Sequence, residues 1–132
     1  MSRRLRLLPA LAIAAVTLTA TAAAADTYTP TNCFRARDWQ NWKAPAPNVL
    51  LVKAGTSGMI WRIDLQQGSD QLKYSDVRII NRNIQRAWLC GPSDFDLLLT
   101  DSHHTMSIPL IVTSMRRLTP DEVEAIPPRD RP

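Results

Sequence analysis

Val49-Leu50-Leu51-Val52-Lys53-Ala54-Gly55-Thr56-Ser57-Gly58-Met59-Ile60-Trp61-Arg62-Ile63-Asp64-Leu65 decides how this chain folds. Val49 to Val52 is an apolar run flanked by breakers, Pro47 before it and Gly55 after, which marks a strand. Gly55 to Gly58 is a turn. From Met59 the residues alternate. Met59, Trp61, Ile63 and Leu65 share one face; Ile60, Arg62 and Asp64 share the other. A period of two belongs to a half-buried strand, because successive side chains point to opposite sides. The two runs read as an antiparallel hairpin with a four-residue loop.

Downstream the pattern continues in short strands. Gln66 to Ser75 is polar and reads as a loop. Val77 to Leu89 fits a helical stripe through Val77, Ile80, Ile84, Ala87 and Trp88, but its β-branched content and Asn81 and Asn83 favour strand–turn–strand. Cys90 to Asp94 is a turn, and Phe95 to Leu99 another strand. Asp101 to Thr105 turns again. Ser107 to Leu118 is a strand long enough to bend, with Pro109 confined to an edge or bulge. Thr119-Pro120-Asp121-Glu122 is a helix start: Thr119 caps, Pro120 suits the first helical position and Glu122 completes a capping box. Pro127-Pro128 stops that helix, and 127–132 is expected to be a disordered tail. The expected fold is mainly β: a small antiparallel meander forming a barrel or sandwich, with a short C-terminal helix.

Upstream, Phe34 to Lys43 reads as a short helix or an irregular segment lying on the core. Ala44-Pro45-Ala46-Pro47-Asn48 is read as excluding regular structure, since two prolines remove donors and fix φ. The N-terminus itself has the form of a signal peptide. Arg3, Arg4 and Arg6 precede a short apolar, alanine-rich stretch that ends at Ala23-Ala24-Ala25. That stretch is too short and too small-residued for a spanning helix. Cleavage is expected between Ala25 and Asp26, leaving a single compact β-rich domain over 26–126. No stable membrane span is expected after processing, and the expected location is periplasmic or secreted.

Removing 1–25 changes the charge argument. The full chain carries 16 basic and 12 acidic residues. Three arginines leave with the leader, so 13 face 12 and the mature balance is +1. A basic field for nucleic acid is therefore absent. Two cysteines remain, Cys33 and Cys90. In an oxidising compartment an even count is the mark of a bridge. There is no Cys-x-x-Cys spacing to activate a thiol.

Candidate chemistry is sparse. Asp101-Ser102-His103-His104 is the most reactive-looking cluster, and His103 and His104 are the weak metal candidates. Adjacent histidines on a strand face opposite sides, however, and neither His-x-His nor His-Glu-x-x-His spacing occurs. Ser102, His103 and Asp101 as a triad would need a geometry that neighbours rarely provide. Arg78, Arg82 and Arg86 recur every four residues, which on a strand gives one solvated basic face. Asp94, Asp96 and Asp101 match no calcium-loop spacing. Trp61 and Trp88 are expected in the core, whereas Trp39 and Trp42 are expected to form an exposed partner-contact patch. No cofactor and no catalytic residue is assigned.

The order of these features resembles a family of small exported bacterial proteins of unknown function. The resemblance rests on Cys33, Trp39-Gln40-Asn41-Trp42, Val49 to Val52, Cys90-Gly91 and Ser114 to Glu122. Members often carry two further cysteines, which would fall near Ser69 and Leu110, so the resemblance implies that one bridge is missing while Cys33–Cys90 stays. It implies no activity. The expected role is a non-enzymatic periplasmic domain that binds or packs against an envelope protein or cell-wall component. Two other readings are a metal- or small-ligand-dependent enzyme using His103 and His104, and a secreted inhibitor of a cell-wall hydrolase, the latter by analogy of fold alone.

Overall fold

A computed structural model describes residues 32–55, 57–83 and 85–132. The leader and the Ala25–Asp26 cleavage point lie outside these residues. The hairpin forms as its sequence dictates. Strand β3 (Val49–Ala54) pairs antiparallel with β4 (Met59–Leu65), from Val49 opposite Asp64 to Ala54 opposite Met59. Gly55 and Gly58 both adopt positive φ, 86° and 63°, and the Gly58 N–H donates to the Gly55 carbonyl at 3.1 Å. Side chains resist that backbone region, which is why glycine stands at both positions.

Strand β3 is buried on both faces, which explains its unbroken apolar run. Leu50, Val52 and Ala54 join Trp61, Ile63 and Leu65 in the main core. Val49, Leu51 and Ile60 form a second, smaller core on the opposite face, covered by Leu118, Val123 and Ile126. The last two belong to and follow α1 (Pro120–Ala125), so the short helix exists to roof the second face of the hairpin.

Three antiparallel sheets surround the main core. The four-stranded sheet has the order β2-β3-β4-β9, with β2 at Trp39–Ala46 and β9 at Val112–Arg117. A three-stranded sheet, β5-β7-β8, is built from Val77–Asn81, Leu97–Asp101 and Ser107–Leu110. It contributes Leu97, Leu99 and Leu110 to the same core. A two-stranded ladder joins β1 (Phe34–Arg35) to β6 (Trp88–Leu89). The sheets do not close into a barrel; of the two expected forms the molecule takes the sandwich. Beside the β1–β6 ladder, Cys33 and Cys90 form the disulfide, 57 residues apart in sequence.

Several local expectations are corrected. Phe34 to Lys43 is neither helix nor irregular segment: a 3-10 turn at Ala36–Asp38 separates β1 from β2. Strand β2 runs through Pro45, which the sequence reading excluded. It can do so because β2 is an edge strand, and the pairing slips between Lys43 and Ala46 where the proline would otherwise break a ladder bond. Ser107 to Leu118 is two strands, not one. The chain leaves the three-stranded sheet at Ile111, whose carbonyl accepts from the Gln66 N–H at 2.8 Å, and enters the four-stranded sheet. Residues 127–132 carry a 3-10 turn at Pro128–Asp130 rather than a disordered tail. The Arg131 guanidinium ties it down by donating to the Ile126 and Glu124 carbonyls at 2.8 and 2.7 Å, occupying acceptors that the helix end leaves open.

The loop after β4 is held by a close approach. A Cβ on Gly68 would lie 2.4 Å from both the carbonyl carbon and oxygen of Pro47, and 2.7 Å from the Asn48 nitrogen. These are backbone atoms and cannot swing aside, and the Ser69 N–H already donates to the Pro47 carbonyl at 2.9 Å. Gly68→Ala is therefore expected to cost about 1–3 kcal/mol, the usual range for forced overpacking. Thermal unfolding of the variant checks this, and an unchanged midpoint would contradict the close approach.

The helix start matches its sequence signature. The Thr119 hydroxyl accepts from the Glu122 N–H, and the Glu122 carboxylate accepts from the Thr119 N–H at 2.9 Å. The Arg116 guanidinium grips the same carboxylate in two bonds of 2.9 and 2.7 Å. Arg116 first, and then the Thr119 amide, hold Glu122 at about 2 against an ordinary 4.5. A carboxyl depressed in the folded state adds stability that is complete above the unfolded value and is lost as pH falls through the folded one. Acid unfolding of Glu122→Gln should therefore be less pH-dependent than that of the parent between about 4.5 and 2. High salt should shrink the difference, because these groups are exposed.

Candidate functional site

Among the described residues two buried side-chain donors have no partner: Asn81 Nδ2, in a cleft with Ala36 and Ile79, and Trp61 Nε1, beneath the end of β9. Among the described residues this strand closes the four-stranded sheet and pairs on one side only, with β4. Leu118 N–H donates to the Ile60 carbonyl at 2.9 Å, and Arg116 and Ser114 stand opposite Arg62 and Asp64. Antiparallel ladders alternate, so the backbone groups of Arg116 and Ser114 turn toward β4 while those of Met115 and Arg117 turn away.

Arg117 stands directly opposite Trp61, in the closer type of cross-strand pair. Trp61 is 1% exposed and packs on Phe34, with ring centroids 5.2 Å apart. Its indole Nε1–H is buried and has no hydrogen-bond partner among the described residues. An unmade bond of this kind is a standing cost, and buried polar groups are rarely left in that state. Arg117 is also under-used. Its Nη1 donates to the Met59 Sδ at 3.3 Å, and a thioether is a weak acceptor. Neighbouring Arg116 is fully engaged by Glu122. An open groove of about 820 Å³ runs past these groups. Met59, Trp61, Met115 and Arg117 line it from the sheet, and Asn32 and Cys90 line it beside the disulfide.

The residues singled out from the sequence lie elsewhere. His103 and His104 are exposed in the turn between β7 and β8, and His104 takes a positive φ of 55°. The Asp101 carboxylate beside them organises the turn instead of serving a histidine. It accepts from the Thr105 hydroxyl and from the Thr105 and Met106 amides, at 2.8 and 3.0 Å for the two amides. The Thr105 hydroxyl and then the Met106 amide hold that carboxyl below its usual value. Among the described residues no three His, Cys, Asp or Glu side chains stand close enough to hold a metal ion.

The acidic and basic runs also dissolve into local structure. Asp94 accepts from the Cys90 and Gly91 amides at 2.9 and 3.1 Å, shaping the turn after the disulfide. Asp96 pairs with Arg82 at 2.6 Å, and Arg86 faces Asp94 at 3.7 Å. Arg78 is exposed on β5.

The tryptophans are redistributed. Trp39 and Trp42 are half-buried against the main core and do not form an exposed patch. Three residues apart, they would face opposite ways on a regular strand. A register shift between Trp39 and Asn41 absorbs one residue and sets both on the core side, opposite Ala54 and Val52. Trp39 lines a second cleft of about 450 Å³ with Ala36, Ile79, Asn81 and Asn83. Trp88 is not a core residue: it is 38% exposed, and the Arg35 guanidinium lies 4.9 Å from its ring centroid. A two-residue strand at the rim of the sandwich cannot cover so large a ring.

Two members of the groove escaped the sequence reading, the Trp61 N–H and Arg117. A signal existed for the first, since any tryptophan placed on a core face brings an N–H that needs a partner. For the second, only the position at the end of an edge strand separates Arg117 from Arg116, and that depends on which strands pair. No family model, no curated protein and no solved structure matches the chain.

Proposed function

We propose that the mature chain is an exported, non-enzymatic binding domain of the cell envelope. The observation that carries the reading is the groove at β9: it holds the exposed Arg117, whose guanidinium meets only a thioether among the described residues, at the rim of a disulfide-tied sandwich. Donors without partners suit recognition, because a ligand supplies what folding did not. The Cys33–Cys90 bridge supports export, since structural disulfides persist where thiols oxidise. The described residues contain no helix long and apolar enough to cross a membrane.

Expression of the whole chain in a Gram-negative host tests this. The product should begin at Asp26, offer no thiol to alkylation, and sediment with washed envelope. A product that retains Met1, or that stays wholly in the supernatant after mixing with envelope, would overturn the reading.

A further inference from the structure

We infer that the edge of β9 left unpaired by the described residues takes up an extended acidic peptide, which adds as a further strand and sets a carboxylate against Arg117. The inference rests on the reading of the domain as a binding module and narrows it to a ligand class. The backbone N–H and C=O of Met115 and of Arg117 face away from β4, two residues apart, at the spacing of a strand's own groups. That repeat of donor and acceptor is what β-augmentation uses. The 3-10 turn Pro92–Asp94 comes alongside β9, but the Asp94 amide donates to Gly91 and the Asp94 carboxylate takes the Cys90 and Gly91 amides and faces Arg86, so neither is spent on the edge.

The side chains choose the peptide's chemistry. The exposed Arg117 guanidinium is a donor only, so the incoming strand must bring it an acceptor. Arg117 gives up only a thioether sulfur to receive a carboxylate, and a charge-assisted bond is the stronger of the two. Its neighbours do not compete for it: Arg116 is held by Glu122, and Arg62 by Asp64 at 2.9 Å. The mature net charge of +1 supplies no wider field for a polyanion, which favours a short peptide with a single well-placed acid over nucleic acid.

The test uses the purified, disulfide-bonded domain and two pools of N-acetylated hexapeptides. Both pools vary Thr and Val at alternate positions. One ends in Glu with a free carboxylate, the other in Gln with an amide. In nitrogen–proton spectra the amides of Met115 and Arg117 and the indole N–H of Trp61 should shift together with the acidic pool, and amide exchange at both backbone positions should slow. Arg117→Gln should weaken binding of the acidic pool roughly tenfold and leave the amide pool unaffected. Arg117 is exposed, so the variant's unchanged spectrum elsewhere confirms folding. Silence at these three groups up to millimolar peptide, equal affinity for the two pools, or no effect of Arg117→Gln would overturn the inference. Sedimentation with envelope is scored separately: a domain that sediments but ignores the peptides loses the groove assignment and keeps the envelope reading.

Discussion

Replacing Cys33 and Cys90 together by Ala is expected to lower the stability of the domain by about 4 kcal/mol. The estimate follows from loop entropy, because a bridge across 57 residues restrains an unfolded chain that would otherwise sample far more states. Against a total of roughly 5–15 kcal/mol for a domain, that is a large share. The native side of the balance should change little. Phe34 and Leu89, which flank the bridge and pair across β1 and β6, are 2% and 0% exposed and stay in the core without it. The urea midpoint should therefore fall by more than about 1 M with an m-value of about 1–3 kcal/mol per M in both forms. Equal midpoints for parent and variant would mean that the bridge decorates the fold and does not hold it. Loss of all β structure in the variant would mean that Phe34 and Leu89 are seated by the bridge itself.

What the sequence discloses follows from how local each decision is. The β3–β4 hairpin was legible because its turn glycines and its alternation sit within 17 consecutive residues. The helix start was legible because Thr119, Pro120 and Glu122 cap within one turn. The strands at Val77 and Leu97 could be read from β-branched and leucine content alone. The failures are all decisions made by distant partners. Pro45 sits in a strand because β2 has a neighbour on one side only. Trp39 and Trp42 share a face because one residue bulges out of register with β3. Trp88 is exposed because its ladder is two residues long. The end of β8 at Leu110 is set by the switch of sheet at Ile111, for which the sequence has no breaker. The groove was illegible for the same reason. Arg117, Trp61 and Cys90 meet only once the four-stranded sheet is assembled and the disulfide is closed.

Trp61→Ala is expected to lose about 3–5 kcal/mol, the usual cost of emptying a buried tryptophan site. Trp61 is among the largest fully buried side chains and touches Phe34 directly, so the cavity would open at the centre of the main core. Trp61→Phe should behave differently. It leaves part of the site empty, but it also removes a buried N–H that has no partner, and relief of that penalty is worth about 1–3 kcal/mol. The two terms oppose each other, so the phenylalanine variant should unfold within about 1–2 kcal/mol of the parent, measured in the same urea series. A phenylalanine variant as unstable as the alanine one would show that the indole N–H is satisfied in solution and costs nothing. If instead the substitution is nearly neutral for stability, the indole nitrogen is a group that folding does not need. Because that nitrogen is buried out of reach of a ligand, capture of the acidic peptide pool should then fall to the exposed Arg117 alone, and Trp61→Phe should leave it unchanged. Stability would then rest on Trp61 and recognition on Arg117, two residues that face each other across β4 and β9.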